Sequence, residues 1–219
     1  MIITKQKDRE EILESIKDHK SFFLIGCSEC AALCGTGGEE ALQEMAEFLR
    51  LKGKTVTGTM LPKTGCQTLG TKIELKKDKD ACDAADAVVV MSCGAGVQSA
   101  VEIFPDKSVF PSNNSLFLGN MTRFKMFDER CSLCGECVIA KTAGICPVTN
   151  CPKGLLNGPC GGMNNGNCEV SPDLPCVWIR IYERQKRLDN LKQMEETLEA
   201  KNWSAGLKPG RLIAREEKK

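Results

Sequence analysis

The sequence predicts an α/β fold: a small doubly wound parallel sheet, then a Cys-rich segment organised by metal, then a C-terminal helix. Three observations predict it. Short apolar, β-branched runs alternate with helical periodicity through the first half of the chain, as in a parallel sheet with crossover helices. Cysteines follow predicted strands at Cys27, Cys66 and Cys93, and strand ends are where such sheets build sites. After residue 128 the chain turns to cysteine and glycine. Too few large apolar side chains remain there for an ordinary core, so metal must organise the segment.

The elements follow in order. Residues 8–20 form a charged amphipathic helix with Ile12, Leu13 and Ile16 on one side, and Phe22-Phe23-Leu24-Ile25 is a buried strand ending at Gly26-Cys27. Ala41, Leu42, Met45, Phe48 and Leu49 repeat at helical spacing over 39–52, and Gly53 stops that helix. Residues 55–60 are a second strand leading through Pro62 to Cys66. A short helix lies within the polar stretch 76–85. Ala87-Val88-Val89-Val90-Met91 is a third strand, whose continuous apolar run suits burial on both faces. A helix over 97–104 follows, and Ser115-Leu116-Phe117-Leu118 is the candidate last strand. Helical periodicity returns over 177–200 through Ile181, Leu188, Leu191, Met194 and Leu198. The tail from Lys201 is expected to face a partner or to be loosely held. The implied organisation is a Rossmann-like or flavodoxin-like domain over 1–127, a metal-binding segment over 128–176, and a helix and tail over 177–219.

Charge and compartment narrow the chemistry. Thirty basic residues against 29 acidic ones leave no net field, which disfavours nucleic acid and anionic membranes as partners. No apolar h-region opens the chain and no apolar run reaches the ~18 residues of a membrane span, so a cytoplasmic protein is expected. In a reducing compartment, 14 cysteines point to metal or redox chemistry rather than disulfides. The single histidine, His19, has charged neighbours and is read as a solvated surface residue. Ligation must then be almost wholly thiolate, which favours iron–sulfur clusters or four-cysteine zinc.

The first cysteine group is Cys27, Cys30, Cys34, Cys66 and Cys93. A [4Fe–4S] cluster needs four thiolates, and glycines beside these cysteines allow close backbone approach. Five candidates serve four positions: Cys27, Cys34, Cys66 and Cys93, or that set with Cys30 replacing one member. Cys82, inside a helix, is structural. Gly94-Ala95-Gly96 lacks the third glycine of a dinucleotide fingerprint, having Ser99 there, and Gly35-Thr36-Gly37-Gly38 lacks the Gly-Lys-Ser/Thr of a phosphate-binding loop. The order C-x2-C-x3-C also differs from the radical S-adenosylmethionine motif.

The second group is Cys131, Cys134, Cys137, Cys146, Cys151, Cys160, Cys168 and Cys176. Its opening, C-x2-C-x2-C followed by Cys146-Pro147, is like a ferredoxin ligand run except for the longer gap before Cys-Pro. Eight thiolates suffice for two [4Fe–4S] clusters, or for one cluster and one structural zinc. Spacing leaves sequential and interleaved partitions equally open.

Several motifs together resemble the methylenetetrahydrofolate reductase C-terminal domain family. They are Cys27-x2-Cys30-x3-Cys34 with Gly37-Gly38-Glu39, Ser92-Cys93-Gly94-Ala95-Gly96-Val97-Gln98, Cys131-x2-Cys134-Gly135-x-Cys137, and Asn157-Gly158-Pro159-Cys160-Gly161-Gly162 with Cys168-Glu169-Val170. The resemblance implies a small iron–sulfur subunit with two or three [4Fe–4S] clusters and zinc as a further metal. It implies as partner a flavin-containing methylenetetrahydrofolate reductase catalytic subunit. An electron donor such as ferredoxin or a further redox subunit is also implied. Folate chemistry would belong to the flavin partner, and the 158–162 turn is expected to approach it. The rival expectation is a scaffold stapled by zinc, without a redox role.

Overall fold

The computed structural model describes residues 1–213; the charged end of the tail, 214–219, lies outside the described residues. The chain divides into two compact units, Met1–Asp128 and Glu129–Lys219. The first contains β1 (Ile2–Gln6), α1 (Arg9–Ser15), β2 (Ser21–Ile25), α2 (Cys30–Leu33), α3 (Glu39–Leu51), β3 (Thr55–Met60), α4 (Thr68–Glu74), α5 (Lys79–Asp83), β4 (Ala87–Val90), α6 (Gly94–Ile103), β5 (Ser108–Pro111) and β6 (Asn113–Arg123). β7 (Met126–Cys131) spans the division.

The fold is α/β, with a four-stranded parallel sheet ordered β3-β2-β4-β5. Strand alternation sorts the core into two layers. Phe22 and Leu24 of β2 pack with Ile12 and Ile16 and with Leu42, Met45, Phe48 and Leu49 of α3. Phe23 and Ile25 face the other way, toward Cys82, Ala100 and Phe104. Each fully buried Phe or Leu contributes roughly 1.5–3 kcal/mol, so β2, buried on both faces, anchors the unit. Since β3 lies on one side of β2 and β4 on the other, the chain changes direction at the C-terminal end of β2. That crevice is the topological switch point where such sheets bind ligands, and Cys27 is the second residue after β2.

Several elements depart from expectation. α1 stops at Ser15, whose hydroxyl turns back onto the Ile12 carbonyl at 2.7 Å, competing with helix propagation. β5 is the fourth parallel strand. The expected last strand, 115–118, lies inside β6, which pairs antiparallel with β1 in a separate β1-β6-β7 sheet. His19 is half-buried rather than a freely solvated surface residue: its ring meets Phe110 edge-on at 5.2 Å and its Nδ1 is buried. Cys82 is buried, as expected of a structural cysteine.

The second unit contains α7 (Pro147–Asn150) and α8 (Val177–Arg187). α8 ends well before the expected residue 200, because Asp189 adopts a left-handed φ of 53° and Asn190 caps the turn through the Gln185 carbonyl at 3.0 Å. A small core of Cys176, Val177, Trp178 and Ile181 forms here, with Ile145, Cys151, Ile179 and Met194 against it. Among the described residues, no helix is long and apolar enough to cross a membrane.

Asp86 ties the starts of β2 and β4. Its Oδ2 accepts from the backbone N–H groups of Lys20 and Ser21 at 3.1 and 2.9 Å, while its own N–H donates to Ser21 Oγ at 2.9 Å. The Ser21 and Lys20 N–H groups, then the Ser21 hydroxyl, hold this carboxyl below its ordinary value of 3.8. A depressed folded value means that the stabilisation is complete above the ordinary value and is lost as pH falls through the folded one. Asp86→Ala should lower the thermal midpoint at neutral pH. The gap from the unsubstituted chain should close in melts taken down to about pH 2.

Candidate metal centres

At the switch point, three loops carry the first thiol group. Cys27 leaves β2, Cys66 follows β3, and Cys93 is the N-cap of α6. The Cys27 thiol is buried and receives the Gly65 N–H at 3.4 Å. Cys66 is pushed up from the ordinary thiol value, first by burial and then by the nearby thiols of Cys93, Cys27 and Cys30. The structure thus brings Cys27, Cys30, Cys66 and Cys93 together. Cys34 stands one turn beyond Cys30, capping the C-terminal end of α2. The positive end of the ten-residue α6 lies at Cys93, where it favours negative charge.

The framework of this site escapes sequence reasoning. Gly37 sits so tightly that a Cβ there would lie 2.0 Å from the Met91 carbonyl oxygen, and its own carbonyl accepts the Cys27 N–H at 2.8 Å. Buried Asn113 donates through Nδ2 to the carbonyls of Thr36 at 3.1 Å and Ser92 at 3.4 Å. The Thr36 and Thr4 hydroxyls pair at 2.7 Å. One side chain from β6 therefore binds Thr36, two residues past Cys34, to Ser92, the residue before Cys93. The Gly35-Thr36-Gly37-Gly38 run serves close packing, and Thr36 supplies the polar link.

In the second unit the eight thiols fall into two sets of four, sequential rather than interleaved. Cys131, Cys134, Cys137 and Cys146 line one cavity of about 380 Å³. The loop turns through left-handed Leu133 and Gly135 (φ 55° and 81°), aiming the Leu133 N–H at Cys131 Sγ at 3.4 Å. Cys151, Cys160, Cys168 and Cys176 line a second cavity of about 20 Å³. Gly162 N–H reaches Cys160 Sγ at 3.4 Å. That contact, followed by the charge of Lys153, holds the Cys160 thiol below its ordinary value. Cys176 is the N-cap of α8. Trp178 lines the same cavity with its Nε1 buried and without a hydrogen-bond partner among the described residues, a donor that a sulfur acceptor would satisfy.

Among the described residues, no three His, Cys, Asp or Glu side chains close on a common point as ligands of a single ion. The thiols surround cavities instead. The donor set is chemically suited to soft-metal sites, because a cubane cluster spreads its four thiolates around a cube and zinc takes four of them directly. The cavity lined by Cys131, Cys134, Cys137 and Cys146 is the larger of the two.

The tail is not loosely held at its start. Lys201 is buried, and Asn202 N–H donates to Glu136 Oε2 at 2.7 Å, so this stretch belongs to the Cys131–Cys137 loop rather than to an extension. Nothing in the spacing marks a lysine as buried.

Residues 110–204 match the family described as Methylene-tetrahydrofolate reductase C terminal. The match takes in all eight cysteines of the second unit and Lys201, and links this part of the chain to methylenetetrahydrofolate reductases. Cys27, Cys30, Cys34, Cys66 and Cys93 lie outside it. No curated protein and no solved structure matches the chain.

Replacing Asn113 by Ala strands two buried carbonyls and should cost about 1–3 kcal/mol in chemical denaturation. Gly37→Ala forces a methyl group onto the Met91 carbonyl and should cost a similar amount, roughly 1–3 kcal/mol.

Proposed function

We propose that the chain is the iron–sulfur electron-transfer subunit of a methylenetetrahydrofolate reductase complex, of the MetV type found beside flavin-containing reductase barrels. The observation that carries the reading is the sorting of twelve cysteines into three groups of four, one at a sheet's switch point and two around separate cavities. The family match over residues 110–204 supplies the link to folate reduction.

On this reading Cys27, Cys30, Cys66 and Cys93 hold one [4Fe–4S] cluster, and Cys131, Cys134, Cys137 and Cys146 hold a second. The small cavity of Cys151, Cys160, Cys168 and Cys176 favours zinc. When bound, cubane clusters supply one-electron exchange, whereas reduction of methylenetetrahydrofolate takes two electrons and belongs to the partner's flavin. This chain's own residues hold the thiolates, direct N–H groups from Gly65, Leu133 and Gly162 at sulfur, and exclude water around Cys27 and Cys176, both buried. Cys160 is exposed, and its glycine-rich turn is the part of the second unit proposed to approach the catalytic subunit. The donor is proposed to be ferredoxin or a further redox subunit, and the compartment the cytoplasm.

The rival, a scaffold held by zinc alone, draws its support from the small cavity. Metal analysis separates the two. Anaerobically purified chain should contain about eight irons, with matching sulfide, and about one zinc. Cys93→Ala and Cys134→Ala should each remove about four irons. Cys168→Ala should remove zinc and leave iron unchanged. Zinc without iron or sulfide would leave only the scaffold, and co-purification without a flavin protein would count against the reductase assignment.

A further inference from the structure

Lys201 is the one lysine of the described residues that is buried at its side chain. Burying an ammonium is costly unless it is paired and hydrogen-bonded. Its partners all bear on one loop. The ammonium donates to the carbonyl oxygen of Glu136, lies 3.8 Å from that residue's carboxylate, and stands over the Trp203 ring at 5.6 Å. Asn202 N–H takes the same carboxylate. Beyond it the strap 201–206 lies flat on the loop: a Cβ at Gly135 would come within 2.5 Å of the Ala205 backbone, and one at Gly206 within 3.1 Å of the Cys134 carbonyl.

The shared acceptor gives this contact its chemistry. The Glu136 carbonyl oxygen that receives the ammonium also receives the Cys134 thiol at 3.7 Å. Once Cys134 is a metal-bound thiolate it has no proton to donate, and the carbonyl oxygen faces a sulfur anion instead. A cation on that oxygen then offsets the repulsion, and a single oxygen separates its charge from the sulfur. Arg130 and Glu136 both line the cavity.

We propose that Lys201 is a positioning residue for the Cys131, Cys134, Cys137 and Cys146 site, holding the 201–206 strap on the loop and setting a positive charge beside the Cys134 sulfur. This rests on the reading of that cavity as a cluster site. Positive charge favours the reduced, more negative state of a cluster, so Lys201 raises the reduction potential, and the carboxylate of Glu136 opposes it.

The test uses the full chain carrying Cys93→Ala, so that a single cluster is titrated, reconstituted anaerobically with iron and sulfide and followed by electron paramagnetic resonance. Lys201→Met should keep its iron and shift the potential to more negative values, with Lys201→Arg restoring most of the loss. Glu136→Gln, which keeps an acceptor for the Asn202 N–H, should shift it to more positive values. A merely structural strap predicts no shift, or shifts of one sign in both variants, and either result overturns the proposal. Should Lys201→Met shed its iron, Glu136→Gln decides alone: a positive shift supports the proposal and no shift rejects it. The underlying reading has its own control in Cys134→Ala. Loss of about four irons supports it, and unchanged iron overturns both reading and proposal, an outcome distinct from iron lost with the potential of the lysine variant unmoved.

Discussion

Thiol groups gathered at one point oppose each other's ionisation, as Cys93, Cys27 and Cys30 do to Cys66, and that opposition is relieved when a shared cation binds the thiolates. On the proposed reading, three sets of four thiols would meet this constraint once they hold metal. In the first unit a parallel sheet supplies the convergence, since strands that run the same way deliver their following loops to one edge. In the second unit strand β7 delivers only Cys131, at its last residue, and turns place the other thiols. The backbone turns through left-handed Leu133, Gly135 and Gly161, and only a small core around Trp178 and Ile181 supports it.

The same devices recur despite this difference in scaffold. A backbone N–H points at one sulfur in each group, from Gly65, Leu133 and Gly162. A helix N-terminus stands at Cys93 and at Cys176, where its dipole favours negative charge. Among the described residues, the Cys131–Cys146 group has no long helix of this kind, and there the proposed positive element is Lys201.

What the sequence made legible follows from how strongly each feature is written. Ala87–Val90 is an unbroken apolar, β-branched run and could only be an interior strand, and α3 declares itself by its periodicity and its terminal Gly53. β1 and β5 were hidden, because Ile2-Ile3 precedes charged residues and Ser108–Pro111 is four residues ending in proline. The thiol groups could be seen as groups, but spacing does not say which Cys closes on which. The choice between Cys30 and Cys34 depends on where the short α2 starts, and the division of the last eight depends on turns at positive φ. Asn113 and Lys201 left no mark at all, since their roles come from distant partners, 77 and 65 residues away in sequence.

The central claim is that three groups of four thiols hold metal, two as clusters and one as zinc. It is tested most directly by anomalous diffraction from anaerobically grown crystals at the iron and zinc absorption edges. The account predicts iron peaks within the Cys27, Cys30, Cys66, Cys93 group and within the Cys131, Cys134, Cys137, Cys146 group, with a zinc peak among Cys151, Cys160, Cys168 and Cys176. Zinc at all three positions, or an iron site drawing ligands from both cavities of the second unit, would contradict it.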